Sequence, residues 1–353
     1  MARHRWDARC PAPTGLVPPT RIDPTGVTGP TRGQAAGRRW VRVGHGWYVP
    51  ADAPRHLPEQ RVLEAAALLP SYGAVTGWAA CRMARATFLD GVADDGRTTL
   101  PVQLAVGSKG RIRPRPGIVV VSHERLAPWE WHVRHGVRVT RPERATFDEM
   151  RRTGDLRHAV EVVDMMAAAR ATSPARVAAY ARARWGTPGR GLVLDALRLA
   201  SEHSRSPRET RLRLVALLDA GLPALLVNCP VYSRDGRFLG VVDLLDLVAG
   251  LAIEFDGAEH RHRARHTADV RKEDRLRRHG LEVVRVTGTD LADVASTVDR
   301  LRATRARARF EPIADRSWVA RPPADTLDEH LAEQEWLVMD HEHGHPVDWP
   351  QAG

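Results

Sequence analysis

Residues 251 to 257, Leu-Ala-Ile-Glu-Phe-Asp-Gly, set the tightest limit on what this chain can become. Leu251, Ile253 and Phe255 alternate with period two, as a strand with one buried face requires, and the same alternation sends Glu254 and Asp256 together to the opposite face. Gly257 ends the strand and His260 follows close behind. Carboxylates side by side raise one another's pKa unless a proton or a cation lies between them. A proton or a cation is therefore wanted at this point.

The flanking sequence adds further acids. Residues 237–257 read as two strands around a turn near 248–250, so Asp243 on the first strand comes beside the Glu254 and Asp256 pair on the second. Upstream, "SPRETRLRLVALLDAGLP" has Ser206 as N-cap, Pro207 at the first helical position and Glu209 at the third, with Gly221 closing the helix. Glu209 fits two roles here, a first-turn acid that suits the helix dipole or a fourth carboxylate of the cluster. Downstream, "ADVRKEDRLRRHG" is a charged helix ended by Gly280, "LEVVRVT" a strand, and "DLADVASTVDRLRATRARA" a last helix. The order is helix, hairpin, helix, strand, helix.

Several carboxylates with open positions for water and phosphate oxygen describe a magnesium or manganese site rather than a zinc cage. Such an ion polarises a phosphodiester and lowers the pKa of bound water, so phosphodiester hydrolysis fits these parts. The three cysteines, Cys10, Cys81 and Cys229, are scattered and give neither a disulfide framework nor zinc-ligand spacing. With no signal-peptide core and no membrane-length apolar run, the expected location is the cytoplasm. A net charge of +10 suits a DNA or RNA partner, although Lys109 and Lys272 are the only lysines and the arginine excess also fits a GC-rich coding sequence.

The whole chain, 353 residues with 43% apolar content, is long enough for several domains of an α/β (α+β) class. Residues 1–28, rich in Pro, Gly, Thr and Arg, are expected to be a disordered lead-in. In 29–57, "RRWVRVGHGWYVP" predicts a tight hairpin about Gly44, His45 and Gly46, compatible with the wing of a winged helix and equally with an ordinary hairpin. Residues 58–198 alternate helical and strand-like runs and form a mixed α/β middle domain, whose Asp148, Glu149, Glu161 and Asp164 are expected on solvated helix faces or as caps. Residues 199–305 carry the acidic motifs. In the polar tail, 306–353, His341, His343 and His345 alternate, a pattern open to metal binding or to a plain solvated tail.

The ordered set Glu209, Asp243, Glu254-Phe255-Asp256-Gly257, His260, Asp269, Arg271, Leu276, Gly280 and "VVRVT" resembles the Vsr-like branch of the PD-(D/E)XK nuclease superfamily, in particular the endonuclease-like C-terminal domains found in many actinobacterial proteins. Residues 29–55 are similar to the wing of AbiEi-type antitoxin N-terminal domains. The first resemblance implies a restriction-endonuclease-like mixed sheet flanked by helices, with Asp243 and Glu254 as ligands of Mg2+ or Mn2+, Asp256 and Glu209 completing the shell, and DNA as substrate, RNA not being excluded. One position departs from the superfamily's pattern: Asp256 stands where a lysine is usual, and an aspartate can hold a metal or orient water but cannot offset phosphate charge. His260 is the candidate for proton transfer. Lys272 or Arg271 would supply the missing positive charge if the next helix faces the hairpin. The alternative is a non-catalytic DNA-binding regulator, antitoxin-like, that keeps the nuclease fold.

Overall fold

Two separate five-stranded sheets, one in each unit, and a two-stranded hairpin in the first account for the strand periodicity of the sequence. The structure, a computed structural model, describes residues 15–256 except 109 and 111, and residues 263–343 except 324 and 325, with the side chains of 263–268 and 336–343 left aside. The first unit comprises Met1–Ala171 with Arg176–Leu197, and the second Thr172–Ala175 with Arg198–Gly353. The class is mixed α and β, as expected.

In the first unit Thr31 caps the single turn α1 (Arg32–Ala35), accepting the Gln34 N–H while the Gln34 amide oxygen accepts the Thr31 N–H. The predicted hairpin follows as β1 (Trp40–Gly44) and β2 (Trp47–Pro50), antiparallel about His45 and Gly46. Then come α2 (Pro58–Ala66), β3 (Ala74–Thr76), α3 (Gly77–Met83), β4 (Val102–Ala105), β5 (Val119–Ser122), β6 (Trp131–Arg134) and β7 (Val137–Thr140). Four helices complete the run: α4 (Pro142–Met150), α5 (Leu156–Ala168), α6 (Pro174–Ala183) and α7 (Arg190–Leu197). The five-stranded sheet has the order β5-β4-β3-β7-β6, with β3–β4 and β6–β7 antiparallel and β3–β7 and β4–β5 parallel. Val75, Trp78, Leu104, Val139 and Met166 lie in its core.

Two expectations for this unit are corrected. From residue 15 onward the lead-in is ordered: Leu16 is fully buried in the main core, Val17 N–H donates to Gln60 Oε1 at 2.9 Å, and Thr20 pairs with Tyr48 at the hairpin's edge. Apolar residues too sparse to show a period still dock when the remainder of the unit offers a groove. Nor are the middle acids solvated, for Asp148, Glu149, Glu161 and Asp164 are all buried, because α4 packs against both α3 and α5, and α5 also against α7. Fully buried Arg144 is paired at 2.8 Å with Asp148, which also accepts the Thr76 hydroxyl at 2.7 Å. Glu149 accepts the Trp78 N–H at 2.9 Å and the Gln103 amide at 2.7 Å. These acids hold the unit together.

The second unit opens with α8 (Pro207–Leu214), which widens into a π turn over Val215–Asp219. It continues with β8 (Leu226–Ser233), β9 (Phe238–Asp246), β10 (Leu251–Asp256), α9 (Arg263–Arg278), β11 (Glu282–Thr287), α10 (Val294–Arg307), β12 (Trp318–Ala320) and α11 (Leu327–His343). The sheet order is β11-β10-β9-β8-β12, in which β10–β11 is parallel and the other pairs are antiparallel. Leu212, Leu244, Ile253, Val286 and Leu301 are buried in one cluster, and Leu245, Ala252, Leu276 and Val283 in another. Strand β8 is absent from the sequence expectation, because Asn228, at positive φ, and Pro230 interrupt its alternation. The supposed polar tail also contributes structure: β12 joins β8 as an edge strand and buries Trp318. The side chains of His341 and His343, and all of His345, lie outside what the structure describes. No helix among the described residues is long and apolar enough to cross a membrane.

Removing Asp148 takes away the closest of three carboxylates on buried Arg144 and leaves the Thr76 hydroxyl without its acceptor. Asp148→Ala should therefore lower the stability of the first unit by about 3 kcal/mol or more. Urea unfolding of the full chain, followed at that unit's transition, measures it.

Candidate functional site

Residues of β9, β10 and α9 meet where the β9–β10 ladder gives out. The two strands pair from Leu251↔Asp246 to Ile253↔Leu244, and one step further the Asp243 carboxylate, rather than a main-chain carbonyl, accepts the Phe255 N–H at 2.8 Å. Strand β10 meanwhile stays paired to β11 as far as Asp256↔Thr287. The local parting puts the Asp243 carboxylate into the gap, within electrostatic reach of Glu254.

The positive charge that this crowding demands comes from α9. Lys272 Nζ donates to Glu254 Oε2 at 2.5 Å and to the Val241 carbonyl at 3.0 Å. Its orientation follows from helical period, since Leu276, one turn on, is fully buried against the sheet and carries Lys272 inward with it. Close approach is possible because residue 240 is glycine: a Cβ there would stand 2.7 Å from Lys272 Cγ and 2.8 Å from Cδ. The sequence condition on Lys272, that its helix face the hairpin, is met.

Glu254 is only 8% exposed, and its Oε1 is buried with no hydrogen-bond partner among the described residues. Burial, and then the charge of Asp243, push its carboxyl up to about 7 against the opposing pull of Lys272. Asp243 is raised too, first by burial and secondarily by Glu209, while the Phe255 N–H, Lys272 and Arg205 pull it down. Two carboxyls and one ammonium therefore share a site in which a proton is easily held or lost around neutrality.

The remaining predicted residues divide. Asp256 sits half-buried at the end of β10, two positions beyond Glu254. Glu209 comes close enough for its charge to act on Asp243, yet both its carboxylate oxygens are engaged, Oε2 by Arg205 N–H at 3.0 Å and Asn228 Nδ2 at 2.9 Å, and Oε1 by the Ser206 hydroxyl at 3.1 Å. Of its two roles, the structure fills the cap. Arg271 lies on α9, and His260 falls outside the described residues. Arg205, Asn228 and the Val241 carbonyl are additions that sequence reasoning missed. Asn228 had no signal because its strand was not recognised.

Among the described residues no three His, Cys, Asp or Glu side chains form a metal-holding group. Compared with protein-family models, curated proteins and solved structures, the chain matches none.

The pKa of Glu254 carries a sign for stability. A carboxyl at about 7 when folded and near 4.5 when unfolded binds its proton more tightly in the folded state. Its stabilising contribution is complete below the unfolded value and lost as pH rises through the folded one. The second unit should lose stability between pH 4.5 and 7 in the absence of divalent cation, and Glu254→Gln should flatten that slope. Chemical denaturation across this window, with chelator present, tests it.

Proposed function

We propose that the second unit hydrolyses phosphodiester bonds in DNA with a divalent cation, Mg2+ or Mn2+, held by Asp243 and Glu254. The observation that carries this reading is the buried Glu254 beside Asp243, with one carboxylate oxygen bound by Lys272 and the other without a partner among the described residues. The donor set fits such an ion: hard oxygens, an orphaned acceptor, and two acids whose mutual repulsion a second positive centre would relieve. Two protein carboxylates leave coordination positions for water and phosphate oxygen, as suits magnesium better than zinc. When bound, the ion would supply Lewis-acid polarisation of the phosphate and a more acidic water.

The chain's own residues do the rest. Lys272 opposes the upward push on the Glu254 pKa and keeps more of that carboxyl ionised near neutrality. It also brings to the site, from the helix, the positive charge that a lysine at position 256 would bring from the strand. Asp256, at the strand's end, supplies a carboxylate that can orient an attacking water. Glu209 fixes the start of α8 and acts on Asp243 through its charge alone.

The test incubates the full chain with supercoiled, mismatched and single-stranded DNA, and with RNA, in Mg2+ or Mn2+ and then in chelator. Cutting should require the cation. Asp243→Asn and Glu254→Gln should abolish it, and Lys272→Met should reduce the rate by roughly a hundredfold, the scale for losing one preorganised charge. Cutting that persists in Asp243→Asn overturns the assignment, and binding without cutting of any substrate gives the regulator in its place.

A further inference from the structure

Arginine also gathers at a place in the first unit that has no part in the acidic site. A cavity of about 660 Å³ opens between the β1–β2 hairpin, the residues after α2, and the loop around 112–115. Arg21, Arg42, Arg113 and Arg115 line it together with His45, and no acidic residue among the described residues does. Four guanidiniums around one cavity repel one another, and among the described residues none of the four has a carboxylate partner that would offset this.

Three of the four side chains are nonetheless held, while Arg113 is exposed at the rim. Arg21 lies over the Trp47 ring, 4.5 Å from its centroid. Arg42 Nε donates to the Gly44 carbonyl at 3.1 Å, with Nη2 3.3 Å from His45 Nδ1, and Arg115 donates to the Val43 carbonyl. Main-chain carbonyls and an aromatic face thus fix three guanidiniums without cancelling their charge, which leaves positive charge at the cavity for an anion. Glycine suits this close packing, because a Cβ at residue 44 would stand 2.2 Å from Leu68 Cδ2 and displace that side chain from the cavity wall. Leu68 and Ile112 give the cavity apolar wall, and Tyr72, 50% exposed, offers an open ring.

The geometry points to a nucleotide-phosphate site: the arginines take phosphate oxygens and the Tyr72 ring takes the base. Simple anions would not need the ring, and an acidic peptide would not need a volume suited to a heterocycle with its phosphates. The same chemistry is presented by a single strand of nucleic acid and by a free nucleoside diphosphate. The inference does not rest on the proposed hydrolysis.

Fluorescence anisotropy of the full chain separates these sources, with chelator present so that no cutting enters the signal. The probes are a labelled single-stranded oligonucleotide, the matching duplex, and ADP as competitor. Arg21→Gln with Arg113→Gln should weaken the strand about tenfold or more and lower its salt slope by roughly one for each phosphate no longer neutralised. Tyr72→Ala should weaken it about fivefold or more, while Arg97→Gln, on a separate exposed turn, should leave it unchanged. Displacement of the strand by ADP, or binding of ADP alone with the same variant sensitivity, keeps the site and identifies a free nucleotide as its source. Binding of every probe that is indifferent to the arginine pair and to Tyr72→Ala, with melting curves showing all variants folded, overturns the proposal. Absence of any binding overturns it as well.

Discussion

One ammonium group between a helix and a sheet governs the arrangement of the second unit. With Leu276 buried against the sheet a turn away, α9 carries Lys272 to Glu254, and β9 has glycine at 240 where the lysine stem passes. Its second hydrogen bond, to the Val241 carbonyl, ties the same side chain to β9 while Glu254 ties it to β10. The lysine thus spans the two strands near the point where their ladder ends and Asp243 takes over the Phe255 N–H. Charge balance and strand geometry are set by the same few atoms.

The buried acids around Arg144 in the first unit are handled in the opposite way. Arg144 meets Asp148, Glu130 and Glu124, and Asp148 and Glu149 collect further hydrogen bonds from Thr76, Trp78 and Gln103. Groups satisfied this fully are bound into the structure and have no valence left for a ligand. Glu254 differs by a combination: a buried carboxylate oxygen without a donor among the described residues, which Glu59 of the first unit also has, and a second acid, Asp243, whose charge acts on it. Leaving that oxygen unpaired costs stability, and such a cost is more easily understood at a functional site than in a core.

Sequence reasoning reached the acidic strand because period two is a strong signal and because Asp243 is brought to it by a local turn. The position of Lys272 was legible only conditionally: a helix of mean polarity so high shows no clear inner face until Leu276 is known to be buried. Strand β8 was lost to Asn228 and Pro230, and with it the hydrogen bond that fixes Glu209. The arginine cavity was invisible, since Arg21 and Arg42 stand far from Arg113 and Arg115 in sequence and only the fold brings the two pairs together. The buried acids of α4 and α5 were misjudged for a related reason, because composition does not tell how many sides of a helix will be covered.

Where the positive charge originates changes what the strand position can do. A lysine at 256 would be carried on the same rigid strand as Glu254, and the aspartate found there would have no place. Delivered from α9, the charge comes from the helix packed on the sheet, and the strand end is released to carry a second carboxylate. The two positions then separate tasks that one lysine would combine: Lys272 sets the ionisation of Glu254, and Asp256 holds a carboxylate at the strand's end. This division also makes the site conditional on helix placement. A shift of α9 by even one residue would turn Lys272 about 100° away from the sheet, leaving Glu254 and Asp243 without the ammonium that now opposes their mutual repulsion.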